Sequence, residues 1–83
     1  MQAPLNDSHL MTFDGTVLEF FGYTDVHRYH IWQRPTFEFS QGRTPRMIVR
    51  LGGGGKHSLL YDRHRLEGLQ AVAAEIARAV AEA

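Results

Sequence analysis

The fold is decided by residues 62–81, DRHRLEGLQAVAAEIARAVA, which have the pattern of one amphipathic helix. The apolar side chains of this segment recur at steps of three and four residues, so a helix places them on a single stripe. They are Leu66, Leu69, Val72, Ala73, Ile76, Ala77 and Val80. Asp62 is placed to cap the N-terminus, because a carboxylate there accepts hydrogen bonds from unpaired backbone N–H groups. A helix of this length is marginal alone in water, so its stripe requires a partner surface.

The chain before this helix alternates apolar and polar residues, which is typical of β-strands. The alternating segments are residues 16–23, 26–33, 36–40, 46–51 and 57–61, with a short helical turn as the alternative within 26–33. The turns between them are short, and strands joined by short turns pair antiparallel, because a parallel pair needs a crossover of about a dozen residues. The sequence therefore predicts an α+β fold, in which an antiparallel meander of four to five strands packs against the C-terminal helix.

Both faces of the predicted sheet carry apolar side chains. The face toward the helix would hold Leu18, Phe20, Tyr29, Ile31, Phe37, Phe39, Met47, Val49 and Leu51. The opposite face would hold Val17, Phe21 and Ile48. Contiguous exposed apolar surface on a small domain usually marks an interface. These three residues, together with Trp32, are therefore candidate interface residues, and we expect a homodimer or a protein partner.

Length and composition indicate one small soluble domain. Residues 1–10 contain Pro4, Asn6, Asp7 and Ser8 with little periodicity, so we interpret them as a flexible arm before a single domain over residues 11–83. The chain has no cysteine, which excludes disulfides and thiolate metal sites. It also has neither a leader pattern nor a membrane-spanning apolar run, so we expect a cytoplasmic protein without a transmembrane segment.

The formal net charge is zero, but the charges are unevenly distributed. Residues 43–65 carry six cations against the single acid Asp62; the cations are Arg43, Arg46, Arg50, Lys56, Arg63 and Arg65. This segment is the candidate anion-binding surface, and a solvated strand face is the alternative interpretation. Nucleic-acid binders of this kind usually carry a net positive charge, so the neutral total argues against nucleic acid as the partner.

No motif for catalysis, cofactor binding or metal binding is present. The glycines at 52–55 and Lys56 are not a phosphate-binding loop, because a predicted strand follows where that motif requires a helix. The candidate metal ligands would be His27, His30, His57 and His64, but no HExxH helix or carboxylate pair accompanies them. On a strand, His27 and His30 would also face opposite sides. We therefore predict no catalytic residue, no cofactor and no metal.

The order of the later elements resembles a known family. The segment ending in Phe37 and Phe39, the strand 47–51, the glycine loop, the strand 58–61 and the final helix resemble the second half of a bacterial pleckstrin-homology-like (PH-like) domain. The resemblance covers residues 17–81. That family has seven strands before its helix, so it implies a sheet that is incomplete unless another chain completes it.

The resemblance implies a binding module rather than an enzyme, because PH-like domains bind phosphoinositides, peptides or other proteins. It assigns no site residues. The resulting expectation is a small interaction module that self-associates or docks another protein. Anion or lipid-headgroup binding through residues 43–65 is the alternative, and a small enzyme with an unrecognised site is the remaining one.

Overall fold

A computed structural model describes residues 1–83 and has an α+β fold. The strands are β1 (Gln2–Asn6), β2 (His9–Phe13), β3 (Val17–Phe21), β4 (Val26–His30), β5 (Thr36–Ser40), β6 (Arg46–Arg50) and β7 (Lys56–Leu60), and they precede helix α1 (Leu66–Glu82). Short 3₁₀ turns at Ile31–Gln33 and Arg63–Arg65 precede β5 and α1. All strand pairs are antiparallel, and the strands form two sheets with the orders β1-β2-β3-β4 and β5-β6-β7.

The α+β class and the antiparallel meander are confirmed, but the prediction of one sheet with four to five strands is wrong. Seven strands divide into a sheet of four and a sheet of three, and neither sheet is closed. The division falls between β4 and β5. There the 3₁₀ turn Ile31–Gln33 ends in Arg34, which has a left-handed φ of 52°, and Pro35 follows. This turn redirects the chain, so β5 begins a new sheet instead of pairing with β4.

The predicted flexible arm over residues 1–10 is wrong, because these residues form β1 and the start of β2. Ala3 is buried, and Leu5 is completely buried in the core. Of the residues that suggested a loose segment, Pro4 and Asn6 lie in β1, and Asp7 and Ser8 form the hairpin turn between the two strands. In that turn the Ser8 N–H donates to Asn6 Oδ1 at 2.9 Å. The core therefore extends to the N-terminus, and the predicted boundary at residue 11 divides a hairpin.

The core lies between the inner faces of the two sheets and the apolar stripe of α1. Its completely buried side chains are Leu5, Met11, Leu18, Phe20, Met47, Val49, Leu69, Val72 and Ile76. The predicted inward positions of β3 and β6 are therefore confirmed, whereas the predicted stripe of α1 is confirmed in part, because Ala77 is exposed. Full burial of each such side chain stabilises the fold by about 1.5–3 kcal/mol. Other predicted inward residues are half-buried against this core; they are Tyr29, Ile31, Phe37, Phe39, Leu51, Leu66 and Val80.

Helix α1 begins at Leu66, four residues after the predicted cap. Asp62 precedes the 3₁₀ turn instead, and its carboxylate makes no capping hydrogen bond but pairs with Arg65 Nε at 3.2 Å. The 3₁₀ turn holds the three basic residues 63–65, and the first turn of α1 carries Glu67. An acidic residue suits that position, because the N-terminal end of a helix dipole is positive. No helix of the protein has the length and apolarity needed to cross a membrane.

Strand β7 crosses one end of the first sheet and joins the two sheets. At the C-terminal end of β7, Asn6 Nδ2 donates to the Leu60 carbonyl at 3.0 Å, and the following Asp62 N–H donates to the Leu5 carbonyl at 2.8 Å. At its N-terminal end, the His57 ring lies against His27 of β4, with 4.4 Å between ring centroids. No backbone hydrogen bond joins β4 to β7, so side chains alone hold this end, which we call the β4–β7 seam.

Candidate functional site

A groove of about 490 Å³ runs between β5 and α1. Its volume falls in the range of known ligand sites, about 300–1,000 Å³. Most of its lining is apolar, and none of the lining side chains is charged. The lining residues are Pro35, Thr36, Phe37, Phe39, Gln70, Ala73, Ala74, Ala77 and Val80.

Small residues on the helix and aromatic residues on the strand form this groove. Phe37 and Phe39 are alternate, half-buried residues of β5, so both point toward α1 from one face of the strand. The facing surface of α1 carries Ala73, Ala74 and Ala77, whose short side chains leave the space between helix and strand unfilled. The groove is therefore a direct result of alanine at positions where larger apolar residues would close the contact.

One side of the groove is an unpaired strand edge. β5 lies at the edge of the second sheet and has β6 as its only neighbour. Residues 36–40 make no backbone hydrogen bond other than those to β6. The one additional contact to this backbone comes from the Tyr61 hydroxyl, which donates to the Ser40 carbonyl at 3.2 Å. An unpaired edge beside an apolar groove can accept a further strand.

Two of the six predicted anion-binding residues are already paired with carboxylates. Arg50 on β6 donates to Glu38 on β5, with 3.1 Å between Nη2 and Oε2. Arg65 is about three-quarters buried and contacts both Asp7, at 3.0 Å, and Asp62, at 3.2 Å. Their charges are therefore partly neutralised within the protein.

The other four cations lie at two ends of the second sheet. Lys56 is the cross-strand partner of Arg50 and lies next to the glycine loop. Arg43, Arg46 and Arg63 lie at the opposite end, where Arg63 Nη2 donates to the Gly42 carbonyl at 2.6 Å. None of these three arginines has a carboxylate partner. We call Arg43, Arg46 and Arg63 the arginine end.

The predicted interface residues do not share one face. Val17 and Phe21 lie on the outer face of the first sheet, whereas Ile48 lies on the outer face of the second. The prediction assumed a single sheet, and the division into two sheets separates them. On the first sheet, Phe21 has Leu10 and Val26 as cross-strand neighbours. Leu10, Phe21 and Val26 form what we call the outer patch, in which Phe21 is 37% and Val26 53% exposed.

Trp32 is also exposed, with 75% of its surface accessible. It lies in the 3₁₀ turn between the sheets, where the His30 ring meets the indole edge-on at a centroid distance of 4.4 Å. His30 Nδ1 accepts the Trp32 N–H at 3.3 Å. The indole therefore lies outside the core, on a turn that local hydrogen bonds hold in place.

A histidine cluster occupies the β4–β7 seam. His27 Nε2 lies 3.2 Å from Asp25 Oδ2, and His57 Nδ1 lies 3.3 Å from the Tyr29 hydroxyl. Phe20 meets the His57 ring edge-on, with 5.7 Å between centroids. Burial lowers the pKa of His57, and the neighbouring His27 lowers it further. Burial also raises the pKa of Tyr29.

The four histidines considered as metal ligands do not converge. Only His27 and His57 meet, while His30 lies on the outer face of β4 and His64 is exposed in the second 3₁₀ turn. No group of three or more His, Cys, Asp or Glu side chains is arranged to hold a metal ion.

The chain matches no model of a known protein family. Comparisons with curated proteins and with solved structures found no match either. The functional interpretation therefore depends on the geometry of this chain alone.

Sequence reasoning did not identify the groove or the histidine cluster. A signal for the groove was present, because alanine at 73, 74 and 77 faces a strand that carries Phe37 and Phe39. Periodicity places Ala73 and Ala77 on the apolar stripe of the helix, but it does not show that their short side chains leave a gap against a strand. The histidine cluster had no local signal, since His27 and His57 are thirty residues apart and meet only through the crossing of the two sheets.

Proposed function

We propose that this protein is a non-enzymatic docking module that binds an extended peptide segment of a partner protein in the groove between β5 and α1. The observation that carries the proposal is the unpaired edge of β5 beside an apolar groove. In this binding mode the peptide becomes an additional strand next to β5. Backbone hydrogen bonds then provide affinity, and alternate side chains of the peptide enter the groove and provide specificity.

The geometry defines the chemistry of the peptide. β5 has five residues, so it can pair with a segment of about the same length. Two or three side chains of such a segment would face the groove, because successive side chains of a strand alternate between its faces. The groove lining has no charged residue, and burying an unpaired charge is costly. The favoured peptide therefore has uncharged apolar residues at alternate positions.

The strand arrangement supports the choice of a binding module. Seven strands in sheets of four and three precede a C-terminal helix. This equals the strand number of the PH-like domains that the sequence resembles, and it supports that assignment as part of the proposal. The groove also contains no titratable side chain, which agrees with docking rather than catalysis.

Two exposed alanines of α1 allow a matched test. Ala74 lines the groove and Ala71 does not, and both are exposed, so neither arginine substitution disturbs the core. The probe is a displayed library of random nine-residue peptides, selected on the unmodified protein. We expect enriched peptides to alternate apolar and polar residues. Ala74→Arg should weaken their binding at least tenfold, while Ala71→Arg should bind them like the unmodified protein.

The mode of binding needs a second measurement. N-methylation of alternate peptide amides removes backbone donors but leaves the side chains in place. One of the two methylated series should lose binding, and amide resonances of residues 36–40 should shift when the unmodified peptide is added. Binding that tolerates both series would contradict strand addition. Absence of any enriched peptide, or enriched peptides that bind Ala74→Arg normally, would refute the docking site itself.

A second candidate is anion binding at the arginine end. It is favoured by the absence of carboxylate partners for Arg43, Arg46 and Arg63, in contrast to Arg50 and Arg65. Phosphate groups are the natural ligands for such clustered guanidinium groups.

A further inference from the structure

The β4–β7 seam brings ionisable side chains from both sheets together. His27 and Tyr29 come from β4, and His57 comes from β7, with His27 and His57 separated by 4.4 Å between ring centroids. Asp25 reaches the pair from the turn before β4. No backbone hydrogen bond spans this seam, whereas the other end of β7 is held to β1 by the Asp62–Leu5 backbone bond. The sheets are therefore linked at this end by side chains around His57, which contacts the His27 ring and lies 3.3 Å from the Tyr29 hydroxyl.

We propose that the His27–His57 pair is a pH-operated latch between the two sheets, closed while at least one ring is neutral and opened when both rings are protonated. Two positive charges at this separation repel each other, more strongly where water is partly excluded. Neutral imidazoles have no such repulsion and pack as aromatic rings. The switch does not depend on the groove or on peptide binding.

The neighbouring groups determine which proton opens the latch. His27 Nε2 contacts the Asp25 carboxylate at 3.2 Å. Partial burial opposes a proton on His57, the neighbouring His27 opposes it further, and His9 of β2 adds a smaller opposing effect. Asp25 favours a proton on His57 but contacts only His27. Tyr29 is neutral in this pH range, since burial raises its pKa above the ordinary value.

The charged neighbours on the two strands do not face the pair. Arg28 lies on the outer face of β4, where it is bonded to Glu19 at 2.9 Å. Lys56 is exposed and alternates with His57 along β7, so it points to the other face of its sheet. On the His57 side of the seam, the Phe20 ring packs edge-on against the His57 ring. Asp25 is therefore the one carboxylate that contacts the pair.

The direction of the pH effect follows from the His57 pKa. Because the folded protein holds this pKa below the ordinary value of about 6.5, the unfolded chain binds more protons in the range just below that value. Stability contributed by the closed latch is therefore complete above about pH 6.5 and is lost as the pH falls below it.

Hydrogen exchange and ring titrations measured by NMR test the proposal. In the unmodified protein, the pKa of the His57 ring should lie below the ordinary histidine value of about 6.5. Between pH 7.5 and pH 5, amide protection factors should fall at the N-terminal half of β7 and in β4. Protection near Leu60, where β7 is bonded to β1, should be retained. His57→Phe keeps an aromatic ring without a titratable group, so the amides of β4 and of the N-terminal half of β7 should keep their protection at pH 5 in this variant.

His64→Phe is the matched control, because His64 lies in an exposed turn away from the seam, and this variant should open like the unmodified protein. His27→Phe removes the other charge of the pair and should also prevent opening, so it replaces His57→Phe if that variant does not fold. The proposal is wrong if the pKa of His57 lies at or above the ordinary histidine value of about 6.5. It is equally wrong if the seam loses the same protection in His57→Phe and His27→Phe as in the unmodified protein.

Discussion

Replacing Leu5 by alanine tests whether the N-terminal strand is part of the core. Leu5 is completely buried in β1, and its carbonyl accepts the Asp62 N–H at 2.8 Å. Truncation of a fully buried leucine costs about 2–5 kcal/mol, because the lost transfer free energy is added to the cost of the cavity. At roughly 0.05–0.15 kcal/mol per residue, a domain of 83 residues has a free energy of unfolding of roughly 4–12 kcal/mol. Leu5→Ala should therefore remove a large fraction of the total stability.

Urea and thermal unfolding followed by circular dichroism measure this loss. For a domain of this size, each 1 kcal/mol lowers the Tm by roughly 4–8 °C, so the shift should be easily detected. Leu60→Ala is the control, because Leu60 is 48% exposed and its truncation should cost about 1 kcal/mol or less. If Leu5→Ala unfolds within about 0.5 kcal/mol of the unmodified protein, as surface substitutions do, residues 1–10 do not form the strand described here.

Two further predictions concern the arginine end and the outer patch. Affinity for pyrophosphate should fall steeply as salt rises, because screening weakens exposed charge interactions. Arg46→Ala combined with Arg63→Ala should remove most of that affinity. Arg50→Ala is the control, because Arg50 is paired with Glu38, and it should change the affinity less than about twofold. An affinity that changes neither with salt nor in the double variant would exclude the site. Self-association through the outer patch predicts that Phe21→Glu is a folded monomer by sedimentation, whereas Ile48→Glu, on the other sheet, associates normally. A protein that is already monomeric at high micromolar concentration would contradict this interface.

Periodicity was sufficient to predict the elements that bury one face. The stripe of α1 and the alternation in β3 and β6 place Ile76, Leu18 and Met47 in the core, because burial follows directly from the repeat of each element. The antiparallel order also followed from the chain itself, since its short turns permit no parallel crossover.

The remaining features depend on tertiary structure and have weak local signals. β1 contains Pro4 and ends in Asn6, both unfavourable in a strand, yet it is stabilised by Leu5 in the core and by pairing with β2. The division into two sheets depends on the turn at Arg34, whose left-handed backbone is not favoured by its residue type. The arginine end forms because the segment before α1 returns to the loop at Gly42, which the linear charge pattern does not show.

The contact between β1 and α1 determines when this domain can fold during synthesis. α1 packs on β1 more extensively than on any other element, and Ala3 lies beside Gly68. Residues separated by more than sixty positions must meet before the core is closed, and such distant contacts form slowly because they close a long loop of chain. During synthesis on the ribosome, β1 can pair with β2, but it cannot pack on α1 until α1 has emerged from the exit tunnel. Until that moment the apolar faces of both sheets are accessible to chaperones, and the fold becomes stable only when α1 packs on β1.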